Sequence, residues 1–371
     1  MSIIKTVLPP FFALAVVVSS AVTQAAPRTD TPRAGTLRVT FEPVITIWER
    51  EFTATGEQRI GASLPTTVLV HKEQRITPLQ LDFGITNRIS IGARFPIVRQ
   101  FSRESYPLDP ADTTGNTRAD SAGAASLDSL LADTTYAFAP IHSTPRNLHF
   151  FPGDFEIEAK YRLLESHNFS LSGAAIVRLP TGHLDSPNYL FDIRTGDHQT
   201  DLELRFAEEL TLFNRLWLNG SLRLGRQRPG ERERRIGPQD SLLIPHAALA
   251  PLNWDPGDYA VLDVAPMYRF TRLFAVGFTF GYYTQQRDRY TYRSAQDSID
   301  VEANMGGVPL SASILDPGTA FRWTRVGVAM TYATPDVEGS LSFEKTVTGA
   351  GGLVPVASVF RIVMRTSRWP F

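Results

Sequence analysis

The sequence contains no cysteine, which excludes disulfides, thiolate metal sites and cysteine nucleophiles together. Charge of neither sign is in excess: 37 Lys and Arg stand against 38 Asp and Glu, for a formal net charge of −1. Without a basic surplus or a basic domain, a nucleic-acid partner is excluded. Beyond the first residues there is no long apolar run, and mean hydropathy is slightly negative. A bundle of membrane-spanning helices is therefore excluded too. A membrane β-barrel escapes that exclusion, because only alternate strand residues face lipid.

The one apolar run lies at the N-terminus. Lys5 supplies a positive start, Val7 to Val18 the apolar stretch, and Thr23-Gln24-Ala25 the small residues a signal peptidase reads. Residues 1–25 are expected to be a cleaved signal peptide, 26–35 a short periplasmic segment, and 36–371 the folded body. The run is too short to span a bilayer, and no cysteine is present for lipidation. The expected location is the outer membrane of a Gram-negative bacterium.

From residue 36 onward a period of two dominates. Phe155, Ile157, Ala159, Tyr161 and Leu163 fall on one face, and Glu156, Glu158, Lys160 and Arg162 on the other. Such alternation marks a strand. A charged face repeated in strand after strand suits a wet barrel lumen rather than a sandwich core. The pattern predicts an all-β fold, a transmembrane antiparallel up-and-down barrel. About twelve strands are expected, near 36–50, 74–85, 88–102, 153–164, 168–179, 199–212, 215–228, 258–270, 273–292, 319–332, 339–348 and 354–371.

Short turns at Thr86-Asn87, 165–167, Phe213-Asn214, Thr271-Arg272 and 334–338 alternate with long connections near 51–73, 103–152, 180–198, 229–257 and 293–318. Short periplasmic turns and long outer loops are the rule for such barrels, so both termini are expected in the periplasm. Aromatics near the short turns (Phe83, Tyr161, Phe169, Phe213, Phe270, Phe274, Tyr332) and near the long loops (Trp48, Phe150, Phe151, Tyr282, Tyr283, Trp323) suggest two interfacial girdles. The terminal Trp369 and Phe371 have the form of the signal read by the barrel-assembly machinery, although Pro370 departs from the usual pattern.

Alternation assigns Arg94, Glu156, Glu158, Lys160, Arg162, Arg178, Glu203, Arg205, Arg223, Asp263, Arg269, Arg325 and Glu344 to the lumen as candidate pore-lining residues. Mixed signs on neighbouring strands allow cross-strand ion pairs. With acids and bases interleaved there is no single-sign field, so neutral or weakly polar solutes fit best. The longest connection, 103–152, is the expected gate, with one short helical turn near Leu127 to Leu131. The arginines in 226–235 and at 287, 289 and 293 are read either as contacts to lipopolysaccharide phosphate or as solvated hairpin tips. Asp197, His198 and Asp201 sit at a loop-to-strand junction where such residues are commonly solvated. No metal, cofactor or catalytic residue is expected.

Several local signals share a likeness. Gly153-Asp154 opens an alternating strand that carries Lys160-Tyr161-Arg162, and Arg178-Leu179-Pro180-Thr181-Gly182 closes the next. Leu81 to Pro96 places a glycine before a short turn and ends a strand in Phe-Pro. Over roughly residues 75–330 these resemble the outer-membrane proteins linked to the meta-cleavage pathway of phenol degradation. The resemblance implies a barrel transporter of small organic, aromatic or hydrophobic molecules. It carries no functional residues with it. The wider group of such channels often has an N-terminal plug, for which the short segment before the first strand leaves no room. The alternatives are a barrel hydrolase of lipase or deacylase type and a closed structural or adhesive barrel.

Overall fold

Along most of the long strands, apolar side chains point outward and polar ones inward, the reverse of a soluble core. A computed structural model describes residues 29–64, 68–105, 125, 127–140, 149–238, 241–334 and 337–366. The leader peptide and the terminal Trp369 and Phe371 lie outside the described residues.

In chain order the strands begin with β1 (Leu37–Phe41), β2 (Val44–Trp48), β3 (Arg50–Thr53), β4 (Gly56–Arg59), β5 (Leu69–Gly84) and β6 (Ile89–Ser105). Then come β7 (Phe151–Pro152), β8 (Phe155–Glu165), β9 (Phe169–Leu179), β10 (Asp201–Leu212), β11 (Leu216–Gln227) and β12 (Gly230–Arg235). The remainder are β13 (Leu249–Asp255), β14 (Tyr259–Arg269), β15 (Phe274–Gln285), β16 (Arg289–Tyr292), β17 (Arg322–Ala333), β18 (Val337–Ala350), β19 (Val354–Pro355) and β20 (Ser358–Thr366).

The main sheet joins 14 of these and closes on itself, with β1 and β2 lying between β5 and β20. β1 and β2 are two parts of one wall strand, and β7 is two residues long, which leaves twelve spanning strands. All neighbours are antiparallel, as the sequence pattern required. The break between β1 and β2 falls at Glu42-Pro43, where Pro43 has no N–H to give the ladder.

The short turns share a device. Thr86 Oγ accepts from the backbone N–H of Ile89, Thr271 Oγ from Phe274, Thr334 Oγ from Val337, and Ser166 Oγ from Phe169. A hydroxyl closing the turn on its own backbone is a common substitute for glycine chemistry. The remaining tight turn uses Phe213 and Asn214 at φ of 50° and 57°, the positive values a two-residue hairpin of type I′ demands.

Outside the membrane the chain is more ordered than alternation alone suggested. The connection 229–257 folds as β12 and β13, which pair with β16 in a separate three-stranded sheet. The expected strand 273–292 therefore splits: β15 stays in the wall and β16 leaves it. β3 and β4, in the connection expected at 51–73, form a second small sheet with β19 from the last hairpin. The helix Ala295–Asn304 starts at Ser294, whose hydroxyl accepts from the N–H of Asp297.

The lower aromatic girdle is present, with Tyr161, Phe213, Tyr268, Phe270 and Tyr332 exposed on the outer face. The upper set differs from expectation. Trp48, Tyr283 and Trp323 are buried, because their parity is that of the inward face. The short N-terminal segment also differs. Thr29 and Thr31 are buried, and Thr29 N–H bonds Glu209 Oε1 at 2.8 Å, so the segment turns into the barrel mouth at the short-turn end despite its length.

Candidate functional site: the barrel interior

At mid-height the wall presents a continuous set of ion pairs. Arg178 on β9 donates to Glu156 on β8 at 3.2 Å and to Asp201 on β10 at 2.6 Å, and lies 3.9 Å from Glu203. Arg94 on β6 approaches Glu156 at 3.3 Å from the other side. Arg205 holds Glu158 at 2.9 Å and Glu203 at 3.2 Å. Arg223 on β11 continues the chain to Glu203 at 4.0 Å and to Asp263 on β14 at 3.7 Å. Tyr259 links the layers, donating to Glu203 at 3.1 Å and accepting from Arg178 at 3.2 Å. Its ring lies flat against Gly225, where a Cβ would come within 2.2 Å of it. Across the closure, Arg361 on β20 approaches Glu42 at 3.3 Å and Glu344 at 3.8 Å. The charges of this network thus meet opposite charges, as buried ions require.

The structure places all thirteen sequence-derived interior residues on the inward face. Arg94, Glu156, Glu158, Arg178, Glu203, Arg205, Arg223, Asp263 and Glu344 belong to the networks just described. Lys160 and Arg162 instead reach down to the N-terminal segment, donating to the carbonyls of Asp30 at 3.0 Å and Thr31 at 3.3 Å. Arg269 stacks over Trp217, 4.7 Å from the ring centroid. Arg325 stacks over Trp323 at 4.1 Å and donates to Thr346 at 3.3 Å.

Sequence reasoning missed Asp201, Tyr259 and Arg361. Asp201 shares parity with Glu203 and Arg205, which was a usable signal. Tyr259 shares it with Asp263. Arg361 had none, because β20 is apolar on both faces: Val359 and Val363 point in while Phe360, Ile362 and Met364 point out. Asp197 and His198 are taken up locally, Asp197 by Arg194 at 2.7 Å and His198 by the Gly182 carbonyl at 3.2 Å.

Above the charged layer the interior opens. A cavity of about 420 Å³ is lined by Trp48, Ile76, Arg94, Arg178, Trp323 and Arg325 among others. Within the layer a space of about 10 Å³ lies between Arg94, Glu156 and Arg205, and below it one of about 30 Å³ is bounded by Asp30, Arg38 and Lys160. The roof is apolar. Leu127, Leu131 and Phe138 from the long connection pack with Phe191, Val44, Trp48 and Val70. Asp154 anchors the neighbouring loop by accepting the N–H groups of Gly182 and Asp197 at 2.8 and 2.7 Å.

A second cavity of about 220 Å³ lies beneath the outer sheet, lined by Arg232, Arg234, Trp254, Tyr290 and Asp288. The arginines of β12 are neither lipid contacts nor solvated tips. Arg232 stacks on Trp254 at 4.6 Å, Arg234 on Tyr290 at 5.8 Å and Arg235 on Phe138 at 3.6 Å. Arg194, Asp197, Phe321 and Leu353 line both cavities and so form the wall between them.

No model of a known protein family matches the chain, and no curated protein does. Solved structures do. An outer-membrane channel from Pseudomonas putida F1 matches with a TM-score of 0.56 at 10% identity, covering 94% of this chain and 100% of that one. The deltaS2 mutant of TodX, a monoaromatic hydrocarbon channel, matches with a TM-score of 0.42 at 9% identity, covering 90% of each chain. The NanC porin matches with a TM-score of 0.35 at 10% identity, covering 88% of this chain and 100% of that one. The first of these shows that the chain has the fold of an outer-membrane channel barrel.

Proposed function

We propose that this chain is a passive outer-membrane channel for small organic solutes, including aromatic ones, and that it performs no covalent chemistry. The observation that carries this reading is the pair of adjoining cavities that leads from beneath the outer sheet into the barrel, separated by one wall of four residues. Their lining mixes aromatic faces with guanidinium groups, which suits a ring bearing one or two polar substituents. The fold shared with the Pseudomonas putida channel supports it. In this reading Arg94, Arg178 and Arg325 touch the solute in the upper chamber. Glu156, Glu158, Glu203, Arg205, Arg223, Asp263 and Glu344 form a charge-balanced constriction below it, and Lys160, Arg162 and Arg269 line the exit. The leader directs export, Trp369 and Phe371 engage the assembly machinery, and the 103–152 connection gates the upper chamber.

Liposome swelling with phenols, sugars and short fatty acids tests the reading. Phenol-sized solutes should enter faster than disaccharides and faster than in protein-free vesicles. A well-folded barrel that passes neither ions nor phenols would remove the channel and leave a structural barrel.

A further inference from the structure

Arg75 on β5 and Arg99 on β6 are directly opposite one another in the antiparallel ladder. Both project from the outer face, continuing the rows that contain Leu79 and, on β6, Phe95 and Ile97. Like charges in direct cross-strand register are destabilising. Here they are also gathered rather than splayed. The Arg75 and Arg99 guanidiniums lie 5.0 and 4.5 Å from the centroid of the Phe101 ring, and Arg99 lies 5.3 Å from Phe150. Arg103, two positions further on the same face, is exposed.

The acids nearby do not balance this group. Glu73 bonds Arg75, and Glu49 takes up His71, which stands opposite Arg103. Arg99 and Arg103 have no carboxylate partner among the described residues, and the Nε of Arg99 is buried without a hydrogen-bond acceptor. The height of the cluster is informative. Ile89 is the first lipid-facing residue of β6. At about 3.4 Å per residue and a tilt of roughly 40°, Arg99 stands about 25 Å above it, the height of a barrel's apolar band. The arginines therefore lie at the level of the outer-leaflet headgroups.

We propose that Arg75, Arg99 and Arg103 bind a phosphate of an outer-leaflet glycolipid, of the lipid A type. A phosphate seated between Arg75 and Arg99 accepts N–H bonds from both forks, satisfies the orphan Nε and turns the repulsive pair into a bridged one. Phe101 holds the two planes in place, and the exposed Phe150 offers a face to the sugar ring. The proposal does not depend on what the barrel transports.

Native mass spectrometry of the detergent-purified full barrel, titrated with bisphosphorylated lipid A, tests it. One tightly held lipid per barrel is expected. Dephosphorylated lipid A should bind roughly tenfold more weakly, and so should the phosphorylated lipid to the Arg75→Gln/Arg99→Gln variant. Millimolar inorganic phosphate should not displace the lipid. Equal binding of the two lipids, or displacement by inorganic phosphate, overturns the proposal using wild-type protein alone. In lipid-free detergent the double variant should unfold no earlier than the wild type, because a like-charge contact has gone. Earlier unfolding would assign the pair a purely structural role and also overturn it.

Discussion

Arg178 Nη1 stands 2.6 Å from Asp201 Oδ2 across the β9–β10 ladder, and the same guanidinium bonds Glu156 on its other side. One cation thus holds two acids that nothing apolar could replace singly. Arg178→Met should destabilise the barrel by about 3–5 kcal/mol, the cost of leaving buried charge unpaired. Urea unfolding from lipid vesicles measures this. The double variant Arg178→Met/Asp201→Leu should recover part of the loss, and a double variant no better than the single one would count against the pairing.

Ile157 lies on the outer face, between the inward Glu156 and Glu158. Ile157→Arg should cost roughly 2–4 kcal/mol near the bilayer midplane, while Ile157→Phe should cost less than about 1 kcal/mol. Refolding yield into vesicles separates them. Equal penalties would mean that the side chain does not face lipid. Glu156→Ala, which the alternation alone would have marked as harmless, should instead destabilise, because Arg94 and Arg178 both lean on that carboxylate.

The roof over the upper chamber rests on Leu127 and Leu131, both fully buried. Leu127→Asp/Leu131→Asp should release it without touching the wall. Single-channel conductance should rise and discrimination between solutes should loosen, as with excision of 110–145, while the heat-resistant compact migration in detergent gels persists. Unchanged conductance in a folded variant would show that the roof is not the gate.

Asp185 ties the 180–198 connection to the outer sheet through Arg232 at 2.8 Å. Burial pushes its carboxyl up, but Arg232, Arg234 and Arg194 outweigh that and hold it below the ordinary carboxylate range. With the folded value depressed, the tie is complete above the unfolded value near about 4 and is lost as pH falls through the folded one. Hydrogen exchange across 183–197 should therefore accelerate only in that acid window. Asp185→Asn should exchange fast at every pH; a slow variant would mean that the tie holds nothing.

The twelve wall strands were legible because Glu156-Ile157-Glu158 and its counterparts repeat one simple alternation, and because a hydroxyl or an asparagine marks each short turn. What lay outside the membrane was not. β12 reads GERERR, a solvated tip by composition, and only the structure shows its arginines laid on Trp254, Tyr290 and Phe138. The inward aromatics were in reach: Tyr283 follows Tyr282 directly, and consecutive strand residues face opposite sides, so the two could not belong to one girdle. The last strand stayed ambiguous since apolar residues line both of its faces, and the interior partner Arg361 was hidden among them.

The N-terminal segment has a consequence for the order of events. Its partners are Glu209 on β10, Asn87 in the first short turn, Lys160 and Arg162 on β8, and Arg38 on β1. No single hairpin supplies that set; it is spread over the contiguous run β1, β5, β6, β8, β9 and β10. Residues 29–31 can therefore settle only after those six wall strands have paired, so the first part of the described chain to emerge waits on strands made well after it. A probe on that segment would report the moment that half of the wall is assembled.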